Sequence, residues 1–407
     1  MKKDRIFDLL DKSKDLPKEI NDGINNLFCV SSFKEMSIEQ KKKIYNTMNM
    51  FFVKEGIVDY SKTVKEYTLF YLSVNFYKIW QPLVDLLEKN QLKNKIDVLD
   101  IGAGPGTSTF GLIEFYKQLA FDNGSIYFDI SISLVEVEKE FLNVFDKLMN
   151  KYLSSFPKNL KVNIKTFNMK IDEYFDNYTT QYDLIIESNV LNSNENSVNL
   201  GFDYFAERFS KNLKKQSSLI LIEPAREKEI RFLKKIKPFF EKNGLNIYSP
   251  CDCNNYTCNQ FTNAMVDCSC ISILKNALMY GLLEARKNIY NHYFEYFIYR
   301  NDKLKKNKFV IGKNKLCELN QFVSKRINFN ASIIAFVNKE EKGIYSLKVC
   351  DGTLKDNQEV WIDIPYNTLK DADIISGRGD NIQVKYAYVL NNKRICCDIE
   401  TIVRIEG

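Results

Sequence analysis

The chain has a single histidine, His292, in 407 residues. It sits amid aromatic residues and reads as a structural histidine rather than a general base. No window approaches ~18 uninterrupted apolar residues, so no membrane span is expected. The opening Met1-Lys2-Lys3-Asp4-Arg5 has no apolar signal stretch, and its acidic residues argue against a transit peptide, so the expected compartment is the cytoplasm. Charge of one sign is also scarce: Lys+Arg 58 against Asp+Glu 52 leaves +6. That is a mild lean toward polyanionic partners. Lysine runs such as Lys41-Lys42-Lys43 and Lys303 to Lys308 read, one by one, as solvated surface.

What the chain does have is a change of pattern along its length. Residues 1–92 form a helical region: Ser37 to Phe52 and Val64 to Leu87 repeat apolar residues at three- and four-residue intervals. From residue 93 short β-branched runs alternate with helical stretches. Strands are predicted at Ile96–Ile101, Ile130–Val137, Lys161–Phe167, Tyr182–Ser188 and Ser218–Glu223. A helix is predicted over Glu227–Asn243, a sixth strand at Leu245–Ser249, and a seventh, antiparallel to it, at Tyr293–Tyr299. This alternation predicts an α/β, Rossmann-like sheet over 93–300, with a cysteine-rich insertion at 251–291 between strands 6 and 7. A lysine- and asparagine-rich linker spans 301–330. Over 331–407, runs at Ile333–Val337, Tyr345–Val349, Glu359–Ile364, Ile382–Val389 and Ile399–Ile405 alternate with turn signals, which predicts a small β-barrel-like module.

Strand 1 leads into Val98-Leu99-Asp100-Ile101-Gly102-Ala103-Gly104-Pro105-Gly106-Thr107. Glycines at 102, 104 and 106 let the backbone turn sharply and approach a ligand closely. The spacing differs from the dinucleotide G-x-G-x-x-G and lacks the Lys-Ser/Thr end of a P-loop, which disfavours a triphosphate. Asp100 beneath the loop would receive a cationic amino group and repel a pyrophosphate. The segment resembles motif I of class I S-adenosylmethionine-dependent methyltransferases. That resemblance implies Glu136 at the ribose hydroxyls (Glu138 competing), Asn168 near the adenine amino group with Met169 along its face (Asn168 as a turn former competing), and Glu187 to Asn192 where substrate and methyl group meet. No D/N-P-P-Y/F/W motif and no cysteine near Leu191 or Glu223 indicates a target atom, so no catalytic residue is assigned.

Five of ten cysteines fall within Cys251–Cys270: Cys251, Cys253, Cys258, Cys268 and Cys270. Structural cysteines scatter, whereas metal ligands converge, and with no histidine nearby an all-thiolate centre is implied. Zinc and an iron–sulfur cluster both accept four sulfurs; unpaired thiols or disulfides are the bland alternatives.

Several segments in order resemble the methyltransferase-like family associated with the mitochondrial small ribosomal subunit and its bacterial relatives. They are Tyr71 to Phe76, Leu99 to Thr107, Ser188-Asn189-Val190-Leu191-Asn192 (Asn189 replacing a histidine), Leu221-Ile222-Glu223-Pro224, Ser249-Pro250-Cys251, Tyr293 to Tyr296, Val349-Cys350-Asp351-Gly352 and Gly377-Arg378-Gly379-Asp380, the last without the family's tryptophan. The resemblance implies a 4Fe–4S cluster on Cys251, Cys258, Cys268 and Cys350. Cys253 and Cys270 are reserves, zinc is the alternative metal, and Cys396-Cys397 are strand residues. It further implies S-adenosylmethionine as cofactor and small-subunit assembly or rRNA methylation as the role. The rivals are a non-catalytic assembly factor using the same cofactors, and a small-molecule or protein methyltransferase with structural zinc.

Overall fold

The computed structural model describes residues 16–29, 36–53, 62–191, 201–224, 227–249, 270–272, 292–304, 312–339, 343–354, 358–368 and 381–406. The chain divides into two compact units, Lys12–Glu223 with Cys270–Phe294, and Met1–Asp11 with Pro224–Ser269 and Glu295–Gly407.

In the first of these, β1 (Lys95–Ile101), β2 (Phe128–Glu136), β3 (Leu160–Asn168), β4 (Tyr182–Ser188) and β5 (Leu213–Pro224) are all parallel. The central strands carry near-continuous apolar runs because both faces are covered, as in Leu219 to Ile222, which is wholly buried. Later in the chain β6 (Asn246–Ser249) pairs antiparallel with β8 (His292–Arg300), and β7 (Cys270–Ser272) pairs antiparallel with the start of β8. The mixed sheet runs β3-β2-β1-β4-β5-β8-β6. This is the Rossmann-like α/β architecture that the alternation predicts, including the antiparallel last strand. The three-residue β7 is an addition that its sequence does not signal.

Helices α1 (Lys18–Phe28) and α2 (Ile38–Val53) precede the sheet. The long helix expected over Val64–Leu87 is interrupted. It opens as α-helix at Val64–Tyr67, widens to a π-turn at Thr68–Leu72, closes at Ser73–Asn75, and restarts as α3 (Trp80–Glu88). Pro82 sits in the first turn of α3, where a missing N–H breaks no helical bond. Two helices then cover one face of the sheet: α4 (Thr107–Asp122) and α5 (Lys139–Tyr152). They meet through Phe110, whose ring lies 5.1 Å from Phe145 and 5.9 Å from Tyr152, and through a buried Tyr152–Glu114 hydrogen bond. Packed against this layer is α1, where a Cβ on Gly23 would come within 2.7 Å of Leu148. The remaining helices are α6 (Ile171–Asn177), α7 (Phe202–Asn212) and α8 (Glu227–Lys242).

The C-terminal module is a closed five-stranded barrel with one added strand. Strands β9 (Arg326–Lys339), β10 (Ile344–Cys350), β11 (Val360–Pro365), β12 (Asn381–Asn391), β13 (Arg394–Cys396) and β14 (Ile402–Glu406) run in the order β13-β11-β10-β9-β12-β14, and a β13–β12 pairing closes the ring. Its core is formed by Phe329, Leu347, Val349, Ile362, Val384 and Ile395. Three boundaries differ from expectation. The module starts inside the 301–330 linker, because Leu316 and Leu319 already pack in its core. The strand predicted from Ile399 begins at Ile402, because Asp398 accepts the Glu400 N–H and folds that stretch into a turn. Strand β13, only three residues long and not predicted, follows the two-residue turn Asn392-Lys393 after β12. Cys396 ends β13, as expected, whereas Cys397 lies just past the strand and packs in the core.

The seating of α4 makes a test of this packing. Gly111 gives its carbonyl to the Trp80 indole N–H at 2.9 Å, and a Cβ there would lie 2.2 Å from the Phe76 carbonyl oxygen. Gly111→Ala is expected to cost about 2 kcal/mol of stability, the scale of an overpacked core, in urea unfolding followed by circular dichroism. A wild-type midpoint would contradict this packing.

Candidate functional site

The site lies at the C-terminal edge of the parallel strands, within the unit that holds β1 to β5, where ligands of open α/β sheets bind. The glycine loop leaves β1 at Gly102 and enters α4 at Thr107, with φ +59°, +56° and +82° at Gly102, Gly104 and Gly106. Two of these glycines are demanded by neighbours as well as by conformation. A Cβ on Gly102 would come within 2.5 Å of Val190, and one on Gly106 within 2.2 Å of Phe145. Gly104 is different: among the described residues only Tyr67 Cε1, at 3.8 Å, comes near the position of its missing Cβ.

The loop's own N–H groups are engaged internally. Ala103 donates to the Val135 carbonyl at 3.1 Å, Gly104 to Glu136 Oε2 at 2.7 Å, and Gly106 to the Ala103 carbonyl at 2.9 Å, while Pro105 has no N–H. A run of free amides, the usual phosphate cradle, is therefore missing over residues 103–106.

Acidic side chains fill the space around it. Asp100, second from the end of β1, is 1% exposed, and its Oδ2 accepts the Thr109 hydroxyl at 2.6 Å. Burial pushes its carboxyl up to about 7, against the Thr109 bonds that lower it and with a smaller contribution from the neighbouring Glu136 charge. Glu136 ends β2, on the same face as Asp100, since Asp100 pairs with Leu134. Besides Gly104, it accepts the Glu138 N–H at 2.8 Å, and burial raises its carboxyl above the ordinary range.

Glu187, next to last in β4, is fully buried. Its Oε1 accepts the N–H groups of Val190 (2.7 Å) and Leu191 (2.8 Å). Its Oε2 is buried with no hydrogen-bond partner among the described residues, and the carboxyl of Glu223 from β5 lies near. Burial, with the Asp100 charge adding to it, holds Glu187 up to about 7. Among the described residues, no salt bridge reaches Asp100, Glu136 or Glu187.

Asp100, Gly102, Gly104, Gly106, Glu136 and Glu187, the positions expected at the cofactor, are brought to one strand edge. Asn168 also lies there, but its amide donates to the carbonyls of Glu136 (3.1 Å) and Val137 (2.7 Å), which is the turn-forming role weighed against adenine recognition. Asn189 adopts φ +59°, and its N–H donates to the Ile222 carbonyl at 2.8 Å, so with Glu187 it folds the segment after β4 back onto Gly102. Thr109, Glu223 and Tyr67 belong to the site without being expected there from the sequence, whereas Val190 falls in the expected Glu187–Asn192 stretch. Glu223 alone carried a signal, as an acid at a strand's C-terminal end.

Of the thiols, Cys251, Cys253, Cys258 and Cys268 lie outside the described residues. Cys270 opens β7. Cys350 ends β10, buried, with its sulfur accepting the Gly352 N–H at 3.3 Å in a turn fixed by Asp351, which accepts from Leu316 and Thr353. Among the described residues, no three His, Cys, Asp or Glu groups converge on a metal position.

No protein-family model and no curated protein matches the sequence. Solved structures do match in fold. An S-adenosylmethionine-dependent methyltransferase from Clostridium acetobutylicum is 14% identical, with 60% of this chain and 99% of that chain covered and a TM-score of 0.34. A precorrin-6y C5,15-methyltransferase from Geobacter metallireducens is 14% identical, covering 53% and 86% at 0.31. The N-methyltransferase NodS from Bradyrhizobium japonicum is 11% identical, covering 55% and 94% at 0.31.

The buried acids make ligand-free stability depend on pH. Carboxyls near 7 in the folded chain and about 4 in the unfolded one mean that the native state holds more protons between those values. Stability is then greatest at the acid end of that window and falls as pH rises through it. The thermal midpoint of the ligand-free protein is expected to drop by several degrees from pH 5 to pH 8, and Asp100→Asn should flatten the drop. An equal slope in that variant would show that Asp100 is not a source of it.

Proposed function

We propose that the chain binds S-adenosylmethionine at the glycine loop and is a methyltransferase or a methyltransferase-derived binding protein. One observation carries this reading: a nucleotide-type loop whose amides are already engaged stands over buried carboxyls that no cation among the described residues neutralises. Such a site repels phosphates and favours a ligand with positive charge. S-adenosylmethionine has that chemistry, with an ammonium and a sulfonium against one carboxylate. When bound, it supplies a methyl group on a positively charged sulfur, open to in-line attack.

The residues present fit it. Asp100, beneath the loop, is suited to the ammonium group, whose charge would hold the carboxylate ionised. Glu136 has further lone pairs for a ribose diol beyond the two N–H groups it accepts. Glu187 acts through the backbone: it holds Val190 and Leu191 in place, and Val190 forms the wall against Gly102. Transfer itself needs positioning more than acid–base help, which fits the lack of an assigned general base.

The finer reading is a 4Fe–4S protein acting on the small ribosomal subunit or its RNA. Its support is the ordered set of sequence resemblances and the density of thiols. Cys350 fits a ligand's role, being buried in a rigid turn with an N–H directed at its sulfur, an arrangement that favours a thiolate. When bound, a cluster would supply a structural link between chain segments. Binding without transfer is favoured by one feature: Asn189 stands where the resembled family has an ionisable histidine.

Asp100→Ala is expected to weaken S-adenosylmethionine binding at least tenfold in calorimetric titration, and to abolish transfer of labelled methyl to small-subunit particles. Wild-type binding in that variant would remove the loop from consideration, and binding with no transfer by the wild type would favour the scaffold reading. Cys258→Ser and Cys350→Ser are each expected to lose iron and sulfide, and to make the C-terminal module more sensitive to protease. Full iron content with unchanged protease resistance would sink the cluster.

A further inference from the structure

Resting on the reading of the glycine loop as a cofactor site, we propose that the Tyr67 hydroxyl is the donor that receives the carboxylate of the cofactor's amino-acid half. Such a carboxylate needs hydrogen-bond donors, and the loop offers few. The amides of residues 103, 104 and 106 are engaged within the protein, residue 105 is a proline, and the side chains clustered at the strand ends are acids. Placed without another donor among Asp100, Glu136 and Glu187, the ligand's one negative group would be repelled.

Tyr67 is the side chain that answers this need. Its Cε1, two bonds from the hydroxyl, lies beside Gly104, at 3.8 Å from where a Cβ would be. Its position is built rather than incidental. The ring is flanked by Tyr71, with centroids 4.7 Å apart, and by Phe141 of α5, at 5.0 Å. The backbone immediately after it widens into the π-turn Thr68–Leu72, whose Thr68, Leu69, Phe70 and Leu72 are buried. An extra residue in one helical turn rotates the preceding side chains relative to the later ones, and such turns recur at functional sites. Here the wide turn lets Leu69, Phe70 and Leu72 stay in the core while Tyr67 reaches the loop.

The test uses two ligands that differ by the amino-acid half. S-adenosylhomocysteine carries the carboxylate and ammonium, whereas 5′-methylthioadenosine keeps adenosine and sulfur alone. Wild type, Tyr67→Phe and Asp100→Asn are titrated with both by calorimetry. Tyr67→Phe, which keeps the ring packing, is expected to weaken S-adenosylhomocysteine about tenfold, as for a lost bond to a charged group, and to leave 5′-methylthioadenosine within about twofold. Equal weakening of both ligands would mean that the ring only packs, and unchanged affinity for both would mean that the hydroxyl is not used; either overturns the proposal. If the wild type binds neither ligand, the cofactor reading itself falls, and this proposal with it. Binding that is lost in Asp100→Asn but kept in Tyr67→Phe would leave the cofactor reading standing and overturn this one alone.

Discussion

The structure depends on one electrostatic constraint: four acids, Asp100, Glu136, Glu187 and Glu223, are buried at the C-terminal edge of adjacent parallel strands. Burying carboxylates is unfavourable, and the surrounding chain is arranged to contain three of them, Asp100, Glu136 and Glu187. Thr109 reaches back from α4 to Asp100, Gly104 and Glu138 donate to Glu136, and Val190 and Leu191 donate to Glu187. Each of these bonds also fixes a piece of the site. The same interactions therefore limit the unfavourable burial and set the shape of the glycine loop and the segment after β4.

Containment is incomplete, and that is what suits the site to a ligand. Hydrogen bonds lower the carboxyls of Asp100 and Glu187, yet burial still leaves both near 7, while Glu187 Oε2 is left without a hydrogen-bond partner among the described residues. A positively charged ligand would relieve this arrangement. A phosphate would worsen it, and would find the loop amides engaged.

Much of the fold was legible in the sequence because each element announces itself locally. Continuous runs such as Leu219 to Ile222 mark strands buried on both faces, and Asp100 before alternating glycines marks the loop. Less legible was the region before the sheet. The apolar spacing of Val64 to Leu87 fits a helix throughout, and whether a turn has one residue more is decided by packing of Phe70 and Leu72, not by spacing. Asn168 was ambiguous for a related reason: an asparagine after a strand suits both a turn and a base, and its amide donates to Glu136 and Val137 only once the strands are assembled.

From the sequence alone came the strand order's raw material, the acidic loop and the dense thiols, because hydrophobic period, glycine spacing and residue chemistry act over short distances. Tertiary structure decided which atoms remain available. That the Gly104 amide goes to Glu136, that Glu187 lies near Glu223 across two strands, and that Tyr67 stands beside Gly104 are facts about groups separated by many residues. Burial and hydrogen-bond pairing at such distances arise only when the sheet assembles, so no local pattern could have encoded them.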